Sequence, residues 1–294
     1  MTAEVERLSA AYRGGSAGRS RAARTRAGVA AYLAYRAPAT FAAAAAVFRQ
    51  AAAQRPSWAP RSLLDVGAGP GVATWAALER WPTLDDVTLV EAEPEMLAAG
   101  RYLLPEARWL PGDVADAGEP ADVVLASYVL GELDDQAAAV AHLWERTRDT
   151  IVLIEPGTPD GYRRVLAARA AVIGAGGYTV APCPHDLACP LPADDWCHFS
   201  ARLPRSRLHR RAKGAELGFE DEKYSYAVLS REQVQPAPAR IIRQPQLRSG
   251  HVHLVTSDGD GAVRTRTISR KQGTVYKEAR GVAWGDAFDA DERT

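Results

Sequence analysis

The feature that most constrains this chain is an alternation running from residue 62 to residue 174. Short apolar runs at 62–66, 87–90, 107–110, 121–126 and 150–154 are each bounded by Gly, Pro or acidic residues. Between or after them lie longer segments of helical character at 72–81, 95–103, 134–148 and 160–174. Strands that alternate with helices predict a parallel, doubly wound α/β sheet, and the shortness of the apolar runs suits strands buried on both faces. Three domains are expected: a helical subdomain at 1–61, a Rossmann-like domain at 62–180, and an extension at 181–294. The first is rich in Ala and Arg, and its helix is interrupted at Ala37-Pro38, since proline disfavours helix at the residue before it. The last opens with Pro182, Pro184, Pro190 and Pro192. It then returns to strand-like runs at 224–229, 251–256 and 263–269, the final two joined by the turn Asp258-Gly259-Asp260-Gly261.

Charge is balanced overall, with 36 basic and 36 acidic residues, but unevenly spread. Residues 1–61 hold ten Arg against two Glu, residues 62–180 hold eight basic against nineteen acidic residues, and residues 199–280 hold seventeen basic against eight acidic. An acidic middle between basic flanks points to a polyanionic partner. The longest apolar run, 41–48, falls far short of the ~20 residues needed to cross a bilayer. The N-terminus has Glu4 and Glu6 and no apolar signal core, although its Arg-, Ala- and Ser-rich composition shares something with transit peptides. Three cysteines are too few for a disulfide framework. These features predict a soluble, monomeric, cytoplasmic protein.

The first strand runs into Asp65-Val66-Gly67-Ala68-Gly69-Pro70-Gly71, where glycines allow a sharp turn and close approach of a ligand. A Gly-Lys-Ser/Thr sequence is absent, which disfavours a Walker-type nucleotide site. The pattern Asp-x-Gly-x-Gly-x-Gly resembles motif I of class I S-adenosylmethionine-dependent methyltransferases. Asp65, Gly67, Gly69 and Gly71 are the candidate cofactor residues. Glu91 closes the second strand, where an acid can accept both ribose hydroxyls. Asp113 follows the third, where such methyltransferases often hold a carboxylate near the adenine amino group. After the fourth strand stands Ser127-Tyr128-Val129-Leu130 in place of the Asn/Asp-Pro-Pro-aromatic sequence of many amino-group methyltransferases. No catalytic base is visible, and transfer would proceed by positioning.

Cys183, Cys189 and Cys197 crowd into one proline-rich loop, a setting suited to a preformed metal or cluster site. Their spacing is not that of a zinc finger. It is closer to irregular iron–sulfur ligation, while zinc completed by His185 or His198 is the competing arrangement.

Together these segments resemble the methyltransferase-like proteins of the mitochondrial ribosomal small subunit and their bacterial homologues, the Rsm group. The resemblance covers Ala31-Tyr32-Leu33-Ala34-Tyr35-Arg36-Ala37-Pro38-Ala39-Thr40, Glu155-Pro156-Gly157-Thr158-Pro159, Cys183-Pro184-His185-Asp186 and Trp196-Cys197-His198-Phe199. Its most distinctive stretch is Glu220-Asp221-Glu222-Lys223-Tyr224-Ser225-Tyr226. It implies a fold for S-adenosylmethionine, association with the small ribosomal subunit or its 16S-type rRNA during assembly, and a four-cysteine 4Fe–4S site. Cys183, Cys189 and Cys197 match three of the ligands. Leu254-Val255-Thr256 stands where the fourth cysteine is expected, so a histidine, an aspartate or an exogenous ligand completes the cluster, or the site holds another metal or is degenerate. The family leaves open whether methylation is the working activity. A non-catalytic assembly factor and a small-molecule methyltransferase are the alternatives.

Arg202, Arg205, Arg207, Arg210, Arg211 and Lys213 follow the cysteine loop and are the candidate RNA contacts. Few aromatic residues accompany them, so recognition of the RNA backbone is expected. Neither DNA nor a membrane is an expected partner.

Overall fold

A computed structural model describes residues 25–207, 210 and 217–289. Two helices lead: α1 (Arg26–Tyr35) and α2 (Ala37–Gln54). Thr25 caps α1 by accepting the Gly28 N–H at 3.0 Å. The break expected at Ala37-Pro38 falls at Arg36, and Pro38 occupies the first turn of α2, where its missing N–H costs nothing.

The alternating core follows as β1 (Ser62–Val66), α3 (Val72–Arg80), β2 (Asp86–Glu91), α4 (Pro94–Leu103), β3 (Arg108–Pro111), β4 (Ala121–Ser127), α5 (Gln136–Glu145), β5 (Thr147–Pro156) and α6 (Pro159–Gly174). The chain continues through β6 (Tyr178–Ala181), β7 (Phe199–Pro204) and β8 (Phe219–Ser230). Among the described residues the main sheet has eight strands, in the order β3-β2-β1-β4-β5-β8-β6, with β7 paired to the first half of β8. The strands β1 to β5 pair in parallel, while β8 runs antiparallel between β5 and β6.

Both faces of this sheet are covered, which explains the near-continuous apolar strands. Leu63, Val123, Leu125, Val152 and Ile154 face one layer with Ala43, Val47, Phe48 and Ala51 of α2 and Ala73 and Ala76 of α3. Their chain neighbours Leu64, Val124, Ala126, Ile151 and Leu153 face the other layer with Val140, Leu143, Val165 and Ala168 of α5 and α6. Alternate residues of one strand thus serve two cores. The alanines of α2 let the helix lie close to the sheet, and Phe48, fully buried, contributes about 1.5–3 kcal/mol by leaving water.

The remaining strands β9 (Ala239–Ile241), β10 (Gln246–Arg248), β11 (His251–Asp258) and β12 (Val263–Ser269) form a separate four-stranded antiparallel sheet. Its inner residues Val252, Leu254 and Ile268 pack on Val275, Tyr276 and Ala279 of α7 (Gly273–Gly281). The β11–β12 turn is closed by the Gly261 N–H donating to the Asp258 carbonyl at 2.9 Å.

The run at 224–229 supplies a strand of the main sheet, and beside it β6 and β7 arise where the sequence shows no strand-like run. Each is short or irregular in apolar pattern and becomes a strand by pairing with β8. No helix among the described residues is long and apolar enough to cross a membrane.

Candidate cofactor pocket and cysteine cavity

A pocket of about 790 Å³ opens at the carboxyl ends of β1, β2, β3 and β4, where ligands bind in open α/β sheets. Asp65, Gly67, Gly69, Glu91 and Asp113 all line it. Gly71 does not; it caps α3 at φ +81°, where a Cβ would stand 2.7 Å from Leu104. Gly67 has φ +67°, and a Cβ there would meet Val129 at 2.3 Å. Gly69 has φ +56° and nothing within 4 Å of a would-be Cβ, which leaves its approach to the pocket open.

Glu91 holds the loop by accepting the Gly69 N–H at 2.6 Å and the Glu93 N–H at 2.7 Å. Burial raises its pKa despite these two bonds. Asp65 is 1% exposed. One of its oxygens accepts the Thr74 hydroxyl at 2.6 Å, while the other is buried with no partner. Desolvation is the main cause that raises its pKa to about 7, and Glu91 adds to it. Asp113 lies exposed at the pocket edge and caps the turn Val114–Asp116, accepting the Ala115 N–H at 2.8 Å.

Several wall residues were not singled out from the sequence. Tyr32 and Thr40 come from the leading helices, and Glu132, Asp134, Asp135 and His142 from beyond β4. Tyr128 is the one non-glycine residue with positive φ (61°) among those described. Such strain costs about 1–3 kcal/mol and needs surrounding support. Here the support is visible: the Tyr128 hydroxyl donates to Glu222 at 3.1 Å, and the Arg36 guanidinium lies 4.8 Å from its ring centroid. Arg36 also grips Glu222 with two hydrogen bonds of 2.8 and 2.6 Å. Both partners stand in stretches that carry the family resemblance, which was the signal available to find them.

The three cysteines converge as well. Cys183, Cys189 and Cys197 line one small cavity of about 40 Å³ together with Tyr162, Arg169, Tyr226 and Ser257. Tyr162 donates its hydroxyl to the Cys189 sulfur at 3.1 Å. Burial pushes the Cys183 and Cys197 thiols up, and mutual repulsion between thiolates adds to the effect. The histidines expected to complete a zinc site stand elsewhere. His198 is held between Trp196 and Trp284, with ring centroids 5.6 and 4.9 Å away, and His185 faces Ser257 at 3.5 Å. Among the described residues no three His, Cys, Asp or Glu side chains stand close enough to hold a single metal ion. The zinc arrangement expected from the sequence is therefore not assembled: aromatic stacking and the Ser257 contact hold the two imidazoles outside the cavity wall.

Part of the basic segment is engaged within the fold. Arg202 makes two hydrogen bonds to Asp221, at 2.7 and 2.8 Å, and Arg205 pairs with Glu220 at 3.3 Å. These acids lie on β8 beside β7, a pairing that a linear charge count does not reveal. Arg207 and Arg210 are exposed, whereas Arg211 and Lys213 lie outside the described residues.

The strand order, the reversed β8 between β5 and β6, the glycine loop after β1 and the acid closing β2 define a class I methyltransferase fold. The profile of the family described as "Mitochondrial small ribosomal subunit Rsm22" matches residues 26–289, and the chain belongs to that family. The human mitochondrial ribosome assembly protein METTL17 is 31% identical over 283 residues, covering 87% of this chain and 61% of the relative. The Rsm22-cox11 tandem protein 2 of Schizosaccharomyces pombe is 25% identical, over 77% of this chain and 38% of its own length. A trans-aconitate 2-methyltransferase of Azoarcus sp. is 32% identical over 162 residues, which is 50% of this chain and 57% of that enzyme. The chain thus spans about three fifths of the human relative's length and less of the yeast one.

Proposed function

We propose that the chain binds S-adenosylmethionine in the pocket above β1 to β4 and acts in assembly of the small ribosomal subunit. The observation that carries the cofactor reading is the charge of the wall. Seven carboxylates line it (Asp65, Glu91, Glu93, Asp113, Glu132, Asp134 and Asp135), and no Lys or Arg does. Such a wall attracts a sulfonium and an ammonium and opposes the pyrophosphate of a dinucleotide. In this reading Glu91 accepts the ribose hydroxyls, Gly69 lets the backbone approach, and Asp113 borders the adenine. When bound, the cofactor supplies an electrophilic methyl group. The chain's own contribution is positioning, with the Tyr128–Glu222–Arg36 contact holding the segment after β4 in its strained form. The ribosomal half of the reading is supported by membership of the Rsm22 family.

The same wall favours a second reading, a non-catalytic assembly factor that retains the cofactor pocket. A nucleic-acid backbone brought to a carboxylate-lined mouth is repelled, which opposes methylation of RNA there. Calorimetric titration with S-adenosylmethionine tests the pocket: binding that weakens in Glu91→Ala is expected, no binding by the wild-type chain would remove the cofactor reading, and equal binding by both proteins would remove Glu91 from the ribose contact. Single-turnover methylation of immature small subunits then separates the readings. Labelled RNA or protein supports an enzyme, and binding without label supports the assembly factor.

We further propose that Cys183, Cys189 and Cys197 hold an iron–sulfur cluster of the 4Fe–4S type. Three thiols of one proline-rich loop line a single cavity with no imidazole among the described residues of its wall, a donor set of thiolates that suits iron–sulfur ligation. The group would tie three points of the proline-rich loop to one another, beside Tyr226 of β8 and Ser257 of β11. Anaerobic purification with iron, sulfide and zinc analysis tests this. A broad absorbance near ~400 nm lost in Cys189→Ser is expected, and stoichiometric zinc without sulfide would overturn it.

A further inference from the structure

The four-stranded sheet presents two different faces. Its inner face is apolar and covered by α7. The register places Arg248 opposite His251 and His253 opposite Thr267, so these four side chains share the outer face. Arg248, His251 and Thr267 are exposed and His253 half-buried. The two imidazoles lie near-parallel, 12° apart in plane with centroids 6.5 Å apart. His253 is oriented by a 2.9 Å contact between Nδ1 and the Thr267 hydroxyl. At the His251 edge the Arg270 N–H donates to the Gly250 carbonyl at 2.9 Å, which brings Arg270 and Lys271 beside the same corner.

The charges of this hairpin are segregated. Asp258 and Asp260 lie at its turn and are engaged by Arg264 and Arg266. No acidic residue occurs in 243–257 or 263–277, so the opposite end carries cations and imidazoles alone. The turn end of the same face, by contrast, carries Ser257 and Val263 and closes against the cysteine cavity.

We infer that the outer face of this sheet, at its His251–His253 end, is a contact surface for single-stranded RNA. Three features of the face match that ligand. Near-parallel rings with centroids 6.5 Å apart on one strand form a two-ring platform against which splayed bases can lie. Imidazoles are among the side chains on which unstacked bases settle. Arg248 and Lys271 supply cations that can follow a phosphate backbone along such a platform, while the Arg270 side chain turns to the Tyr276 hydroxyl on the inner side. The acid-lined cofactor pocket has the opposite charge, so the two surfaces do not compete for one ligand. This inference rests on the proposed association with ribosomal RNA but places the contact on residues outside the 202–213 segment.

The test is fluorescence anisotropy of the full chain with an unstructured RNA of about ten nucleotides and a duplex of equal length. The single strand is expected to bind more tightly. His251→Ala with His253→Ala is expected to cost roughly tenfold or more, and Phe at both positions to restore most of it. Arg248→Ala with Lys271→Ala is expected to flatten the salt dependence. Arg80→Ala, an exposed cation at the end of α3, serves as control and is expected to leave the preference for single strands intact. Thermal melts verify that each variant is folded. If the wild-type chain binds the single strand and both the His and the cation variants bind it equally well, the surface assignment is overturned while RNA binding stands. If the wild-type chain binds neither RNA, the RNA reading and this inference fall together.

Discussion

The cofactor pocket and the cysteine cavity are built by opposite means. Every pocket residue near the glycine loop is held by regular structure. The loop is pinned to the end of β2 by Glu91, Asp65 lies within β1, and the segment after β4 is clamped by Arg36 and Glu222. The cysteine cavity is lined from a loop of little regular structure, and its walls are joined by contacts such as Tyr162 to Cys189 and Ser225 to the Cys197 carbonyl. A site made by a sheet is preorganised without its ligand, whereas a site made by a loop gains most from a group that cross-links it. Variants at the pocket should therefore act on folding and binding together, and variants at the cavity on the loop alone.

The largest expected effect tests the clamp. Side chains of Arg36 and Glu222 are only 15% and 10% exposed, so removing either takes away a paired charge in a nearly dry setting. Glu222→Ala is expected to cost about 3–5 kcal/mol in urea unfolding. Arg36→Met with Glu222→Leu should cost much less, because both charges are then removed together. If the double variant is as unstable as the single one, packing rather than charge is what joins these elements.

Next in size are the glycines. Gly67→Ala forces a Cβ against Val129 at a positive φ and is expected to cost about 2–4 kcal/mol and abolish cofactor binding. Gly69→Ala meets no neighbour and should cost about 1–2 kcal/mol, the price of the left-handed backbone alone. Equal losses in chemical melts would show that the loop is not set by the Val129 contact.

Asp65 gives a pH-dependent effect with a definite sign. Its folded pKa stands near 7 against a reference value of 3.8, so the folded chain holds this proton over a range where the unfolded chain has released it. Stability is then greatest below the reference value, falls as pH rises through the window between the two, and levels off above about 7. The slope approaches about 1.4 kcal/mol per pH unit within that window. Asp65→Asn is expected to flatten it and to be relatively more stable at pH values above the window. An unchanged slope in the variant would move the proton to another group.

How much of this was legible in the sequence follows the same division. The alternation of apolar runs located β1 to β5 closely, because strands buried on both faces have few ways to be written. The glycine loop, Glu91 and Asp113 were legible because a tight strand-to-helix turn needs particular residues at particular spacings. Tyr128 was not, since nothing local marks a tyrosine for a positive φ that a distant ion pair sustains. The pairing of Arg202 with Asp221 was hidden for a related reason. The two residues are 19 apart along the chain and meet only because β7 lies beside β8. Short strands β6, β9 and β10 were hidden too, having too few residues to show a period.

The smallest expected effect returns to that hidden pair. Arg202 and Asp221 are both substantially exposed, with side chains 64% and 39% accessible, so the bond between them contributes little to folding. Its consequence lies in charge: Asp221 neutralises a cation that a linear count credits to the basic segment, and the guanidinium is further occupied over the Phe219 ring, 4.1 Å from its centroid. Replacing Asp221 with Ala should therefore leave the melt almost unchanged and release Arg202 toward an anionic partner. If the β7 edge touches RNA, the salt slope of binding should steepen by about 0.7, the increment for one more neutralised phosphate on a single strand. A slope equal to that of the wild-type chain would remove Arg202 from the contact and leave the outer face of the small sheet, with its histidines, as the stronger of the two candidate surfaces.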